Sequence, residues 1–562
     1  MSVIDNAIRG VRWRLRATRR IWRTEATSGM PLLPPEPIPD GRIDAPSAGE
    51  SLPREIAWVR GWATFPTGPC TRVDVHLGEH LLGVARLGVG RDDLARQLNP
   101  TAGLSGFELK EDLATWSGPD GEAELRCVAH GPRGERHELS ATVTIEPAAE
   151  PPAPPELRPM PVAGSAGDGP VRTLFFTHQL TLGGAQLYLQ DLLRELASRK
   201  LVDATVLSTM DGPLRDELDE LGVPSHITSI DVAKGPSAHL GRVEELVAWA
   251  DGRGFEAVFV NTATVTTFPG VQVANGLGIP ALWAIHESFP PALIWEDLDP
   301  VVRRGAEAAL GDAAALIFEA DATRRLFEPF ARQGKLLTIP YGLDIGELDA
   351  ERAQLDRPQA RRASGVPEDA ELVVCIGTVE PRKAQVSLTE AFERVAAGHD
   401  RAHLAIVGGR RDEETRLLRN YIEASPFRER IHLIPITPDV HDWYGMSDLL
   451  VCASDVESLP RTVLEAMAWE LPVLATDVYG LPELIDDGKT GWLCRPRDVN
   501  ALADGLERAL ATGPEERHEV ARRARALVER RHDLPTYGQR IGELINRVSG
   551  HAVEVQSGAG EA

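Results

Sequence analysis

The chain has 562 residues, enough at about 150 per domain for three or four cores, so a single small binding module is excluded. Apolar residues at 43% and charged residues at 26% are ordinary globular values, which rules out wholesale disorder and collagen, and no apolar run reaches the roughly 18 residues that a membrane span needs. Sixty basic against 84 acidic side chains leave a net charge of −24, a field that repels phosphate backbones, so no nucleic-acid partner is expected.

In chain order, residues 1–30 come first. Ile4, Ile8, Val11, Leu15 and Trp22 fall on one face of a helical wheel, with Arg9, Arg12, Arg16, Arg19, Arg20 and Arg23 beside them. This pattern predicts a basic amphipathic helix. The expected partner is an anionic membrane surface, met through residues 1–25, with docking on the body or on another protein as the competing reading. The same stretch lacks an apolar core and a small-residue cleavage site, so no secretory signal is read and a cytoplasmic chain, peripheral on the inner membrane face, is expected. Five scattered cysteines, Cys70, Cys127, Cys375, Cys452 and Cys494, include no C-x-x-C pair. Neither a disulfide scaffold nor a metal site is predicted.

Two proline-rich stretches, 31–50 and 147–170, read as extended linkers. Between them, 51–146 shows short alternating runs such as Arg72-Val-Asp-Val-His-Leu77, broken by Gly and Pro, which predicts a β-sandwich. Trp58, Trp62 and Trp116 are expected in its core; exposed on its surface they would stack on sugar rings.

From residue 171 apolar strands alternate with helical stretches, the pattern of parallel βαβ units. Strands are predicted at 171–177, 204–208, 257–260, 281–285, 314–318 and 335–339, and in a second series at 372–376, 403–407, 431–434, 449–453 and 473–476. Two series imply two doubly wound, Rossmann-like domains, 171–345 and 346–534. A final helix, 535–548, is expected to return to the first of them, with a disordered tail at 549–562. Ligands of such sheets bind beyond the carboxyl ends of the strands, so functional residues should follow strands and face a shared cleft.

Three segments do so. Thr177-His-Gln-Leu-Thr-Leu-Gly-Gly-Ala185 opens a helix, where Gly183 and Gly184 permit close backbone approach and free N–H groups attract anionic oxygens; a plain tight turn is the alternative. Gly377-Thr-Val-Glu-Pro-Arg-Lys383 places Arg382 and Lys383 where a diphosphate needs countercharge, although adjacent basic residues in a loop are often simply solvated. Ala453-Ser-Asp-Val-Glu-Ser-Leu-Pro-Arg-Thr-Val-Leu-Glu-Ala-Met467 sets Glu457 before a helix and Glu465 inside it, so that both carboxylates can face one ligand, while N–H groups around Leu459, Pro460 and Thr462 receive phosphate. The competing arrangement pairs Glu465 with Arg461 at i, i+4.

Together these segments resemble glycosyltransferase family 4. Glu457 and Glu465 match its E-x(7)-E motif, and Leu464-Glu-Ala-Met-Ala468, Pro472-Val-Leu-Ala-Thr-Asp477, Asp487-Gly488-Lys-Thr490-Gly491 and Pro340-Tyr-Gly-Leu-Asp344 extend the match from about residue 171 to 550. The resemblance implies the α/β GT-B fold. It also implies a retaining transfer of a hexosyl unit from a UDP- or GDP-linked sugar, without a metal or other cofactor, to a glycan or lipid-linked acceptor in cell-surface polysaccharide or glycolipid synthesis. The other reading is a non-catalytic glycan-binding scaffold on a GT-B body. Carried over by position, Lys383 contacts the diphosphate, Glu465 the ribose, Glu457 with Ser458 the donor sugar, and Gly184 the phosphates from the opposite domain. His286, in Ala284-Ile-His-Glu-Ser-Phe-Pro290, matches the family histidine near the transferred sugar, and Glu483 fits more loosely. Within 51–146, Gly61-Trp-Ala63, Leu81-Leu-Gly83 and Ser105-Gly-Phe107 resemble a β-sandwich accessory module often appended to bacterial glycosyltransferases. Three positions depart from the pattern: Thr378 stands where the family often has Arg, Glu457-Ser-Leu-Pro460 replaces Glu-Gly-Phe-Gly, and Glu470 replaces a helix-ending Gly.

Overall fold

The computed structural model describes residues 39–551 except 55, 92, 95–103, 112, 114–117, 148–168, 231–233, 331–334 and 438–439. The predicted basic helix, most of the second proline-rich stretch, Trp116 and residues 552–562 therefore lie outside the described residues.

The first body of structure is two five-stranded sheets. Alternation along Arg136–Ile145, exposed and buried by turns, is the pattern of a strand with one wet face. Val59, Phe107 and Leu109 of one sheet and Val73, Val75, Leu125, Cys127 and Val143 of the other share one buried cluster. The stretch 31–50 is not all linker. Asp40–Ala45 is a strand paired antiparallel with Ala57–Phe65, because a proline-free run there carries Ile43 into the common core. Trp62 is buried, whereas Trp58 lies at the surface with its Nε1–H donated to Glu108 Oε1 at 2.7 Å.

The remainder is two parallel α/β domains. In the first, the sheet order is Ser225–Ile227, Val202–Ser208, Val171–Thr177, Ala257–Asn261, Ala281–Ile285, Ala315–Phe318, Leu336–Thr338. In the second it is Ile431–Pro435, Ala402–Gly409, Glu371–Ile376, Leu449–Cys452, Val473–Thr476, Trp492–Cys494. Two short edge strands, Ser225–Ile227 and Trp492–Cys494, escape the sequence reading because three residues show no periodicity. In each sheet the chain order reverses beside the opening strand: Val171–Thr177 meets Ala257–Asn261, and Glu371–Ile376 meets Leu449–Cys452. Crevices form at such switch points.

Helix Leu534–Val548 lies on helix Gly184–Ser198 of the first domain, with Tyr537 packed on Tyr188 and Gly538 against Glu195. Order continues past Ser549, where His551 Nε2 lies 2.9 Å from Glu256 Oε1. All five cysteines are buried and free, and among the described residues no helix is long and apolar enough to cross a membrane.

Candidate active site

The two switch points face each other across a cavity of about 480 Å³. From the first domain come the turn after Val171–Thr177, including His178, Gly183 and Gly184, together with Thr262, His286, Glu287 and Glu319. From the second come Thr378, Arg382, Lys383, Arg410, Glu457, Ser458, Leu459, Pro460 and Thr462. Almost every one of these follows the carboxyl end of a strand.

Local backbone chemistry explains how they get there. Gly377 and Gly408 have φ of +148° and +132°, and a Cβ on Gly408 would stand 2.2 Å from the Gly377 carbonyl oxygen. Only glycine lets these two strand ends approach so closely. The chain then makes a single 3-10 turn, Pro381–Lys383, and enters helix Gln385–Ala396 through Ala384 at φ +53°. This turn aims Lys383 inward. Its ammonium meets the Glu457 carboxylate, which also accepts from Ser454 Oγ at 2.9 Å and lies 3.7 Å from Arg382 Nη1. Burial alone would raise the Glu457 carboxyl, but Lys383 and Arg382 outweigh it and hold it below the usual carboxylate range.

Neither helix entering the cavity has a side-chain cap. Gly183 precedes Gly184–Ser198 and Pro460 precedes Arg461–Ala468, leaving first-turn N–H groups for an anionic ligand.

Glu465 departs from the expected placement. It is buried in helix Arg461–Ala468 and does not line the cavity; its oxygens accept from Arg461 Nε at 2.5 Å and Tyr444 Oη at 2.7 Å. The i, i+4 pairing prevails because Arg461 also reaches Asp191 of the other domain, and two acids hold the guanidinium between them. Glu483 also lies outside the cavity. Its carboxylate accepts the N–H groups of Asp321 (3.0 Å) and Ala322 (2.8 Å) from the facing domain.

His286 lines the cavity, but with both ring nitrogens engaged: Nδ1 lies 2.5 Å from Glu319 Oε1 and Nε2 lies 2.9 Å from Asn261 Oδ1. Glu287 Oε2 accepts the backbone N–H of Ala263 at 2.7 Å and of His286 at 3.1 Å. His178 is the opposite case. Gln186 donates to its Nε2 at 2.9 Å, and its Nδ1 lies 3.3 Å from Thr262 Oγ1. Burial, aided by the nearby His286, pushes the His178 ring down to about 4. Thr262 itself sits at φ +74°, fixed by Trp283 Nε1–H on its carbonyl at 2.6 Å.

Arg410, Glu319, Asn261 and His178 were not singled out in the sequence. Each stands at or just past the end of a strand, so the placement rule would have found them. His178 lies within the quoted segment 177–185, where attention fell on the glycines; the other three belong to no quoted motif. Arg410 brings a third cation to the side where Thr378 supplies none.

Two Rossmann-like domains meeting at their switch points over a cationic cavity define the GT-B class of glycosyltransferases. The family model described as "Glycosyl transferase 4-like domain" matches residues 183–342 and that described as "Glycosyl transferases group 1" matches residues 356–527, together more than half of the chain. The chain belongs to the family 4-type glycosyltransferases. It is 30% identical over 218 residues to a D-inositol 3-phosphate glycosyltransferase of Geodermatophilus obscurus, covering 37% of this chain and 48% of the relative. It is 29% identical over 194 residues to the lipopolysaccharide 1,2-N-acetylglucosaminetransferase of Salmonella typhimurium, covering 33% and 50%. The chain thus spans about half the length of these curated relatives. Among solved structures it is similar to Alr3699/HepE of Anabaena in complex with UDP and glucose, with a TM-score of 0.58 at 22% identity over 67% of this chain and 99% of that one.

Proposed function

We propose that the chain transfers a hexosyl unit from a UDP- or GDP-linked sugar to a glycan or lipid-linked acceptor, with retention of anomeric configuration and without an obligatory metal, in the synthesis of cell-surface polysaccharide or glycolipid. The observation that carries this reading is the convergence of Lys383, Arg382 and Arg410 with Glu457 in one cavity, opposite the uncapped start of helix Gly184–Ser198. The solved relative that holds UDP and glucose supports a nucleotide-sugar donor.

As the sugar leaves, negative charge grows on the nucleoside diphosphate and positive charge on the anomeric carbon. The three cations and the N–H groups of Gly184–Ser198 and Arg461–Ala468 are already oriented toward the first of these charges, so little reorganisation is needed when it develops. The Lys383 ammonium pairs with Glu457; a diphosphate would compete for it and leave that carboxylate to accept hydroxyl donors from the sugar. No protein nucleophile is assigned: the leaving phosphate itself takes the acceptor's proton on the same face. Glu465 acts from behind the site, by fixing Arg461, rather than on the ribose.

Screening UDP- and GDP-sugars by thermal shift, then measuring nucleotide release with and without acceptor, tests this reading. Lys383→Ala should lower kcat about 100-fold or more while the protein stays folded. Unchanged kcat and KM would remove Lys383 from the mechanism, and stabilisation by glycans with no nucleotide release from any donor would favour the non-catalytic scaffold. The same reading proposes a cytoplasmic enzyme that binds anionic lipid through residues 1–25; liposome flotation that survives deletion of those residues would refute the lipid contact.

A further inference from the structure

Buried histidines normally titrate low, because burial disfavours the charged ring. His286 is buried, and its surroundings contradict that tendency. Asn261 donates through Nδ2 to the Ala185 carbonyl at 3.0 Å, so its amide orientation is set and it is Oδ1 that faces His286 Nε2 at 2.9 Å. An oxygen acceptor there requires a proton on Nε2. On the other side, Nδ1 faces the Glu319 carboxylate at 2.5 Å. A ring with one nitrogen donating to an amide oxygen and the other to a carboxylate is an imidazolium.

We propose that Glu319 is a positioning residue which, together with Asn261, holds His286 doubly protonated, so that this ring presents to the cavity a fixed positive charge and no lone pair. Other groups face it as well. Burial pushes the Glu287 carboxyl up while the His286 charge pulls it down, Tyr188 packs edge-on at 4.3 Å between ring centroids, and Tyr341 lies beside Tyr188 at 5.6 Å. His178, a second ring lining the same cavity, is pushed down by burial and by His286. Although burial pulls His286 down, Glu319 and then Glu287 more than offset it and raise the ring above its ordinary value.

The chemistry that follows is specific. A ring with both nitrogens engaged cannot accept the acceptor's proton, so His286 is not the general base of any transfer in this cavity. Its ring N–H groups are held toward Glu319 and Asn261. The Glu319–His286 pair lies on the first domain and the Lys383–Glu457 pair on the second, so an internally neutralised cation lines the cavity from each domain.

Nitrogen-15 NMR of histidine-labelled protein, with the His286 signal identified by its loss in His286→Ala, reads the protonation state without any substrate. Two protonated ring nitrogens at pH 7 are expected in the wild type. Glu319→Gln should displace the titration to lower pH by about one to three units, and Glu319→Asp should restore it. A neutral ring in the wild type, or superimposable titrations of wild type and Glu319→Gln, would overturn the proposal. A second readout rests on the transferase reading: nucleotide release by Glu319→Gln should fall as pH rises through the displaced value, with the wild type and Glu319→Asp falling only at higher pH. If no nucleotide sugar is turned over, the transferase reading fails while the NMR result stands.

Discussion

Two histidines lining one cavity are pushed in opposite directions, and the difference is in their acceptors. His286 has a carboxylate and an amide oxygen; His178 receives a hydrogen bond from Gln186 and has no carboxylate partner among its hydrogen bonds. Its folded value of about 4 lies below the ordinary 6.5, so the unfolded chain binds the proton first. Stability from this group is therefore intact above about pH 6.5 and is lost as pH falls toward about 4, at about 1.4 kcal/mol per pH unit. His178→Gln should flatten that slope, measured by urea unfolding between pH 7 and pH 4.5; identical slopes would show that His178 is protonated as readily in the folded protein as in the unfolded chain.

At the scale of elements, helix Arg461–Ala468 shows how a family position is filled against its backbone preference. Glu470 follows it at φ +54°, a conformation that favours glycine, and pairs with Arg352 Nη1 at 3.1 Å. A half-exposed pair offsets little. Glu470→Gly should therefore stabilise the protein by about 0.5–1 kcal/mol, read from urea midpoints, and a net loss would mean that the ion pair outweighs the strain. The central strands were legible for a related reason: runs such as Leu372-Val-Val-Cys-Ile376 are buried on both faces, and such burial leaves an unbroken apolar signature. So were the loops after them, because ligand-facing residues must follow strand ends. The orientation of Glu465 was not. A helix position can face the cavity or a neighbouring guanidinium at the same i, i+4 spacing, and the choice depends on Asp191, which is 270 residues from Arg461 in sequence. The strand at Asp40–Ala45 was likewise hidden by the prolines around it, because its partner, Ala57–Phe65, is what makes it a strand.

At the scale of the whole molecule, contacts cross between the two α/β domains around the rim of the cavity. Arg461 joins Asp191, Glu483 caps the helix beginning at Asp321, and Ser458 Oγ lies 3.1 Å from Thr323 Oγ1, which in turn meets Ser288 Oγ at 2.8 Å. Gly480 allows close approach there, since a Cβ on it would stand 2.0 Å from the Ser458 carbonyl oxygen of its own domain and 2.8 Å from Ala320 Cβ of the other. Arg461→Ala would strand two buried carboxylates, Asp191 and Glu465, and should cost about 3–5 kcal/mol in urea unfolding. A cost below about 1 kcal/mol would mean that water reaches the pair.

The two-sheet module contacts both halves of the transferase unequally. Toward the second domain it offers several attachments: Arg497 donates to the Val84 carbonyl at 2.7 Å, the Val499 N–H donates to the Thr71 carbonyl at 3.1 Å, and Gly88 sits against Val386 just beyond Lys383. Toward the first it has the contact of Lys110 with Glu296 at 2.5 Å, a pair wet on both sides and worth at most about 1 kcal/mol. A displacement of one α/β domain against the other would therefore carry this appendage with the second domain, and the Lys110–Glu296 pair it would break is too feeble to act as a lock.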